Sequence, residues 1–145
     1  WDAVTGTARA VLTGHTGVVW AVVAFSGPGG RTLLATGGED GTVRVWDAVT
    51  GTARAVLTGH TGVVWAVVAF SGPGGRTLLA TGGSDGMVRV WDGDRSALIL
   101  SVITAAPVRA IAATAPVFPT VANQPRPDTQ LVIGGSAGLA VFDVL

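Results

Sequence analysis

GHTGVVWAVVAFSGPGGRTLLATGGEDGTVRVWD, residues 14–47, recurs at residues 59–92 with two changes, Glu39 to Ser84 and Thr42 to Met87. Carried outward, residues 1–45 and 46–90 are two copies of one 45-residue unit, and residues 91–145 form a third, degenerate one. Each copy holds four short apolar runs separated by Gly, Pro, Asp and Thr turn signals. A fixed period in the forties with four such runs marks a β-propeller blade, a sheet that needs neighbours to cover its faces.

The residues at the ends of those runs add a family resemblance. Gly14-His15, Asp40-Gly41 and Trp46-Asp47 resemble the marker positions of a WD40 repeat, and Gly59-His60, Asp85-Gly86 and Trp91-Asp92 repeat them. The resemblance covers at least residues 1–92. It implies an all-β propeller of four-stranded antiparallel blades, with three blade equivalents in this chain. In the scheme it supplies, Thr7–Leu12 is the outer strand d belonging to the preceding blade, and Val18–Phe25 is the inner strand a. Thr32–Thr36 is strand b and Thr42–Trp46 strand c, with the same order in the second copy. Strand a is one residue longer than the family pattern, and a bulge near Ala21–Val23 is expected to absorb the excess. In the third unit Ala97–Ile103 fits strand d, Val108–Thr114 strand a, Leu131–Ile133 strand b and Leu139–Asp143 strand c. Residues 116–128, with four prolines, read as an exposed loop.

Composition narrows the function classes. Net charge is zero and all nine cations are Arg, so nothing electrostatic predicts a nucleic-acid or membrane-surface partner. The chain has no Cys, which removes disulfides and thiolate metal sites. The longest weakly polar run, Ser96–Val108, contains Pro107 and is too short to span a bilayer. The chain opens on Trp-Asp and not on a basic segment before an apolar one, so no signal peptide is expected, and the missing Met points to sequence upstream. A cytoplasmic location is expected. The Arg-only, Ala/Gly/Val-rich usage fits a bacterial source.

Two polar sets stand out: His15, Thr36, Asp40 and Trp46, and their repeats His60, Thr81, Asp85 and Trp91. A His, a hydroxyl and a carboxylate invite comparison with a catalytic triad, but the set occurs twice and no nucleophile elbow accompanies either copy. The WD40 resemblance implies a structural role, with Asp accepting from His, His meeting the strand-b hydroxyl, and the hydroxyl meeting the indole N–H. No catalytic residue is assigned. In the third unit Ala106, Ala137, Ile133 and Phe142 stand at or near the His, Asp, Thr and Trp positions, so all four polar members are lost together. Two His on different units do not make a metal site, and GGEDG lacks the Lys and helix of a phosphate loop, so neither metal nor cofactor is expected.

By resemblance, partners bind the face where the inner strands and their loops surround a channel. Trp20, Trp65, Val18, Val63, Glu39 and Ser84 fall there, and aromatic anchors are enriched at binding hot spots. The competing reading packs both Trp between blades. The functional expectation is a non-enzymatic protein-interaction scaffold binding an unidentified protein or peptide. An engineered or fragmentary assembly unit without a partner is the alternative, and a hydrolase a distant third. The strand order d, a-b-c-d, a-b-c-d, a-b-c leaves a strand without a blade at one end and a blade without strand d at the other. The chain is therefore expected to close a ring with copies of itself, a nine-bladed homotrimer being favoured over a six-bladed homodimer.

Overall fold

The computed structural model describes residues 2–114 and 129–144, which form two four-stranded sheets and one three-stranded sheet. The first sheet contains β1 (Val19–Ser26), β2 (Thr32–Gly38), β3 (Val43–Asp47) and β4 (Ala53–Leu57), paired in chain order. The second repeats it with β5 (Val64–Ser71), β6 (Thr77–Gly83), β7 (Met87–Asp92) and β8 (Ala97–Ile103). The third consists of β9 (Val108–Thr114), β10 (Thr129–Gly135) and β11 (Gly138–Val144) and has no outer strand among the described residues. Every pairing is antiparallel, as blades with short turns require. The loop expected at residues 116–128 lies outside the described residues.

Local chemistry sets the turns. Pro28 starts a single 3-10 turn between β1 and β2, and Gly29 and Gly30 follow at φ 70° and 73°, where a side chain would be strained. After β3, Asp47 Oδ1 accepts from the backbone N–H groups of Val49 and Thr50, both at 3.0 Å, an Asx turn that reverses the chain into β4. Asp2 makes the same turn at 2.9 Å, and Asp92 makes it again at 3.0 Å.

Two of the expectations need correction. Thr7–Leu12 is not a strand, although Thr52–Leu57 has the same sequence and supplies β4. The difference is one of partners: β4 pairs with β3, whereas Thr7–Leu12 has no strand to pair with among the described residues. The inner-strand bulge is at Trp20, between Val19 and Ala21, not at Ala21–Val23. It recurs at Trp65, and at Arg109, which the register of β9 skips between Val108 and Ala110.

The core lies between sheets. Phe25, Leu33, Val43 and Val45 of the first sheet meet Val64, Val67, Leu79 and Trp91 of the second. Phe70, Leu78, Val88 and Val90 of the second meet Val108, Ile111, Leu131 and Ile133 of the third. Gly37 makes the first contact close, since a Cβ built there would lie 2.6 Å from Val64 Cγ1 and 3.0 Å from Val67 Cγ2. Gly82 receives Val108 and Ile111 in the same way. Threonine hydroxyls add a second tie, with Thr77 donating to Ser26 O at 3.0 Å and Thr129 donating to Ser71 O at 3.3 Å.

Gly37→Val should therefore push the first two sheets apart and cost about 1–3 kcal/mol, the usual range for overpacking. Urea unfolding monitored by tryptophan fluorescence checks this, and a midpoint equal to wild type would mean that the contact yields without cost.

Candidate functional site

Each of the first two sheets carries its polar set at one corner, where the loop before the inner strand meets strands b and c. His15 comes from the loop before β1, Thr36 from β2, Asp40 from the turn after β2, and Trp46 from β3. His15 Nδ1 lies 3.1 and 3.0 Å from the two Asp40 oxygens, and Nε2 lies 2.8 Å from Thr36 Oγ1. Trp46 Nε1–H donates to Thr36 Oγ1 at 2.9 Å. One tautomer satisfies all of this: Nδ1–H donates to the carboxylate, Nε2 accepts the Thr hydroxyl proton, and the hydroxyl oxygen accepts from the indole. His60, Asp85, Thr81 and Trp91 repeat the arrangement, with Nδ1 at 3.1 and 2.9 Å, Nε2 at 2.8 Å and the indole at 2.9 Å.

The hydroxyl, imidazole and carboxylate stand in triad order, yet they are placed to bind one another. Thr81 is fully buried, its oxygen is engaged by Trp91, and its proton points at His60. A substrate carbonyl has no approach to that oxygen. What the arrangement does chemically is tie three strands and a loop through buried polar groups, each of which needs a partner.

The copies differ in how the carboxylate is completed. Thr42 Oγ1 donates to Asp40 Oδ1 at 2.7 Å, whereas the Met87 side chain at the equivalent place cannot donate. In the second sheet Arg89 takes over, with Nη1 3.1 Å from Asp85 Oδ2 and 3.0 Å from His60 Nδ1. Beside a protonated Nδ1 the second contact brings charge and not a hydrogen bond. Neither arginine's part is visible in the sequence, because the repeat VRVWD is identical in both copies.

The electrostatics follow from burial and donors. Burial is the largest influence on Asp40 and pushes its carboxyl up. The Thr42 side chain and backbone, the Thr16 backbone and His15 together outweigh it and hold the group well below the usual carboxylate range. Burial likewise pushes Asp85 up, and the Thr61 N–H, His60 and the Met87 N–H bring it below its ordinary value. Burial lowers His60, Asp85 opposes that, and the Arg89 charge lowers it further.

The third sheet has lost the set. Ile133 pairs with Ala140 where Thr81 pairs with Arg89, and Leu131 pairs with Phe142 where Leu79 pairs with Trp91. Val102 to Val108 covers one residue fewer than Leu57 to Val64, so counting from the two ends puts Ala105 or Thr104 at the His position, and Ala106, expected near it, falls beyond it. Gly134 to Leu139 is likewise one residue shorter than Gly82 to Val88, which moves Ala137 off the Asp position.

The six residues expected to bind partners divide by exposure. Trp20 is 55% exposed, Val18 and Glu39 are exposed, and Trp65, Val63 and Ser84 are half-buried. Trp20, Glu39, Val63 and Trp65 line one shallow depression together with Arg109, whose guanidinium sits 4.7 Å from the Trp65 ring centre. Glu39 Oε2 accepts from the Val18 N–H at 3.2 Å, while Ser84 packs under Gly62. Arg109 escaped the sequence reading because the third unit aligns poorly. Its signal was position, since it occupies the bulge that Trp20 and Trp65 occupy in their own strands. Among the described residues no group of three or more His, Asp or Glu could hold a metal ion, and no helix is long and apolar enough to cross a membrane.

His60→Ala should cost on the order of 3 kcal/mol, because it takes the imidazole from the fully buried Thr81 hydroxyl, removes one donor from Asp85 and leaves a hole. Guanidinium unfolding of the two proteins gives the difference, and a loss under about 1 kcal/mol would mean water replaces the imidazole at little cost. Acid should act in the same sense. A histidine depressed in the fold takes its proton more readily when unfolded, so its contribution is complete above about pH 6.5 and declines below that. The depressed aspartates contribute fully above about pH 4, and that contribution is lost as pH falls through their folded values. Stability should hold from pH 8 to about 7 and then fall continuously on acidification, without an intermediate maximum, in a series of urea midpoints.

The family model described as WD domain, G-beta repeat matches residues 6–47 and 51–92. A search of curated proteins finds no match. The matched residues contain both polar sets, the whole first sheet and three of the four strands of the second, and the chain belongs to the WD40-repeat family.

Proposed function

We propose that this chain is a non-enzymatic interaction scaffold whose blades are completed into a closed ring by other copies of itself. WD40 repeats serve in general as protein-interaction scaffolds, and the self-assembly rests on one observation. The segment VWAVVAFS occurs twice, as β1 and as β5, and identical side chains meet different fates. Val64 and Val67 are 0% and 7% exposed because the first sheet covers them, whereas Val19 and Val22 are 47% and 65% exposed. Each such valine gains about 1.5 kcal/mol on full burial, and a preceding blade would provide it.

The other end of the chain has the complementary form. Gly134 stands in line with Gly37 and Gly82, but a Cβ there would meet only Leu139 and Ala110 at 3.6 and 3.7 Å, ordinary contacts. It offers the next copy's Val19 the seat that Gly37 gives Val64. Leu139 and Val141 are exposed, and β11 has no outer partner among the described residues. The N-terminal segment already carries the Asp2 turn, and Arg9, Ala10 and Leu12 line a depression with Leu34, Ala48 and Val49. Carrying over the β3–β4 register puts Leu12 opposite Leu139 of another chain, as Leu57 lies opposite Val43. The nine-bladed trimer is favoured over the six-bladed dimer, because widening the channel strains the Val and Trp side chains less than crowding them. The depression around Trp20, Trp65, Glu39 and Arg109 is the surface assigned to a protein or peptide partner.

Light scattering on the purified chain tests the ring, with three chain masses expected, two supporting the smaller ring, and a stable monomer overturning assembly. Gly134→Val should give a folded single chain by far-UV circular dichroism, since the added side chain clashes only with an incoming copy. In pull-downs a Trp20→Ala/Trp65→Ala variant should keep the oligomeric mass and lose its partners. Identical capture by that variant would remove the assigned surface.

A further inference from the structure

The corner that holds the polar set in the first two sheets is an apolar pocket in the third. Ala106, Ile133, Ala137, Ala140 and Phe142 all line one cavity of about 310 Å³, with Ile103 at its edge. Register makes the comparison residue by residue. Ala140 stands where Arg44 and Arg89 stand, Ile133 where Thr36 and Thr81 stand, and Phe142 where Trp46 and Trp91 stand. The guanidinium, hydroxyl and indole positions thus hold a methyl group, a branched aliphatic chain and a phenyl ring, and both flanking turns are a residue shorter without closing the gap. The Thr104 hydroxyl, the polar side chain nearest the space, is engaged by the backbone carbonyls of Gly86 and Ala106 at 2.8 and 2.7 Å.

The shape of the missing group is readable from the first sheet. There the His15 ring stands against Trp46, centre to centre 6.3 Å and tilted by 51°. The third sheet keeps the aromatic wall, as Phe142, and removes both the ring that leaned on it and every polar group that ring served. The pocket opens to solvent past the exposed Ile103 and Leu139, and its mainly aliphatic and aromatic lining favours a flat apolar ring, which would release water from that surface. We propose that the third-sheet corner is a binding site for a small, neutral aromatic molecule of one or two rings, seated against Phe142 where the other blades seat their histidine. A charged or strongly polar ligand would lose its hydration without gaining a partner and is excluded by the same lining. The pocket's lining comes from one chain, and Leu139 at its rim is the residue that the ring would set opposite Leu12 of another copy.

Fluorobenzene provides a probe that the tryptophans do not mask. Titrating the full-length chain and following the ¹⁹F line should give saturable binding. Ala140→Met should weaken it at least about tenfold, roughly one apolar side-chain contact, while leaving the melting temperature equal or higher. That position already accommodates the long side chain of an arginine in both other blades, so the variant is expected to fold. Ala106→Leu fills the opposite wall and serves as the second variant if the first does not fold. Absence of saturable binding overturns the proposal, as does undiminished binding in the folded variants. Binding of N-acetylphenylalaninamide without binding of fluorobenzene also overturns it, in favour of a peptide side chain as the occupant. Mass measured on the same samples keeps this result separate from the ring, since either can fail while the other stands.

Discussion

A four-stranded sheet of this composition is apolar on both faces, and that constraint governs everything else in the molecule. Val64 and Val67 point one way from the second sheet while Phe70, Val88 and Val90 point the other. No turn or cap within one blade can cover both sides, so a blade is stable only between neighbours. The glycines at 37 and 82 let the facing valines approach closely, and the bulges at Trp20, Trp65 and Arg109 turn one residue per inner strand out of the ladder. The polar corner is subordinate to this packing. It fixes where the loops before β1 and β5 dock on their own sheets.

Much of this was legible in the residues. The period, the strand order and the polar sets came from exact repetition, and Ala97–Ile103 and Val108–Thr114 have the bounds expected of them. The bonds from Trp46 and Trp91 to threonine hydroxyls are those the WD40 resemblance implied. The misreadings share a cause. TARAVL was read as a strand at Thr7 because propensity is local, whereas a ladder partner is not. The bulge was placed one residue late because length alone does not say which residue leaves the register. Arg109 was overlooked because it has no counterpart of its own type in the other copies.

The two substitutions between the copies fall on the same turn and have separate effects. Thr42 to Met87 moves the last donor to the carboxylate from a hydroxyl two residues away to the Arg89 guanidinium. The network survives because the arginine was already within reach. Glu39 to Ser84 changes charge on the surface beside Trp20 and Trp65 without touching the polar corner. Stability and surface chemistry thus vary independently within the four residues 39–42.

The identity of Thr7–Leu12 and Thr52–Leu57 also bears on how the chain finds its fold. β3 and β7 share the residues VRVWD, so each presents the same edge to any TARAVL segment that reaches it first. Only loop length separates the native partner from its duplicate, and closing a longer loop costs little more than closing a short one. Folding therefore passes through competing pairings of nearly equal energy, within a chain and between chains. Near-perfect repetition, which makes the blades interchangeable, thus also multiplies the pairings open to compete with the native one.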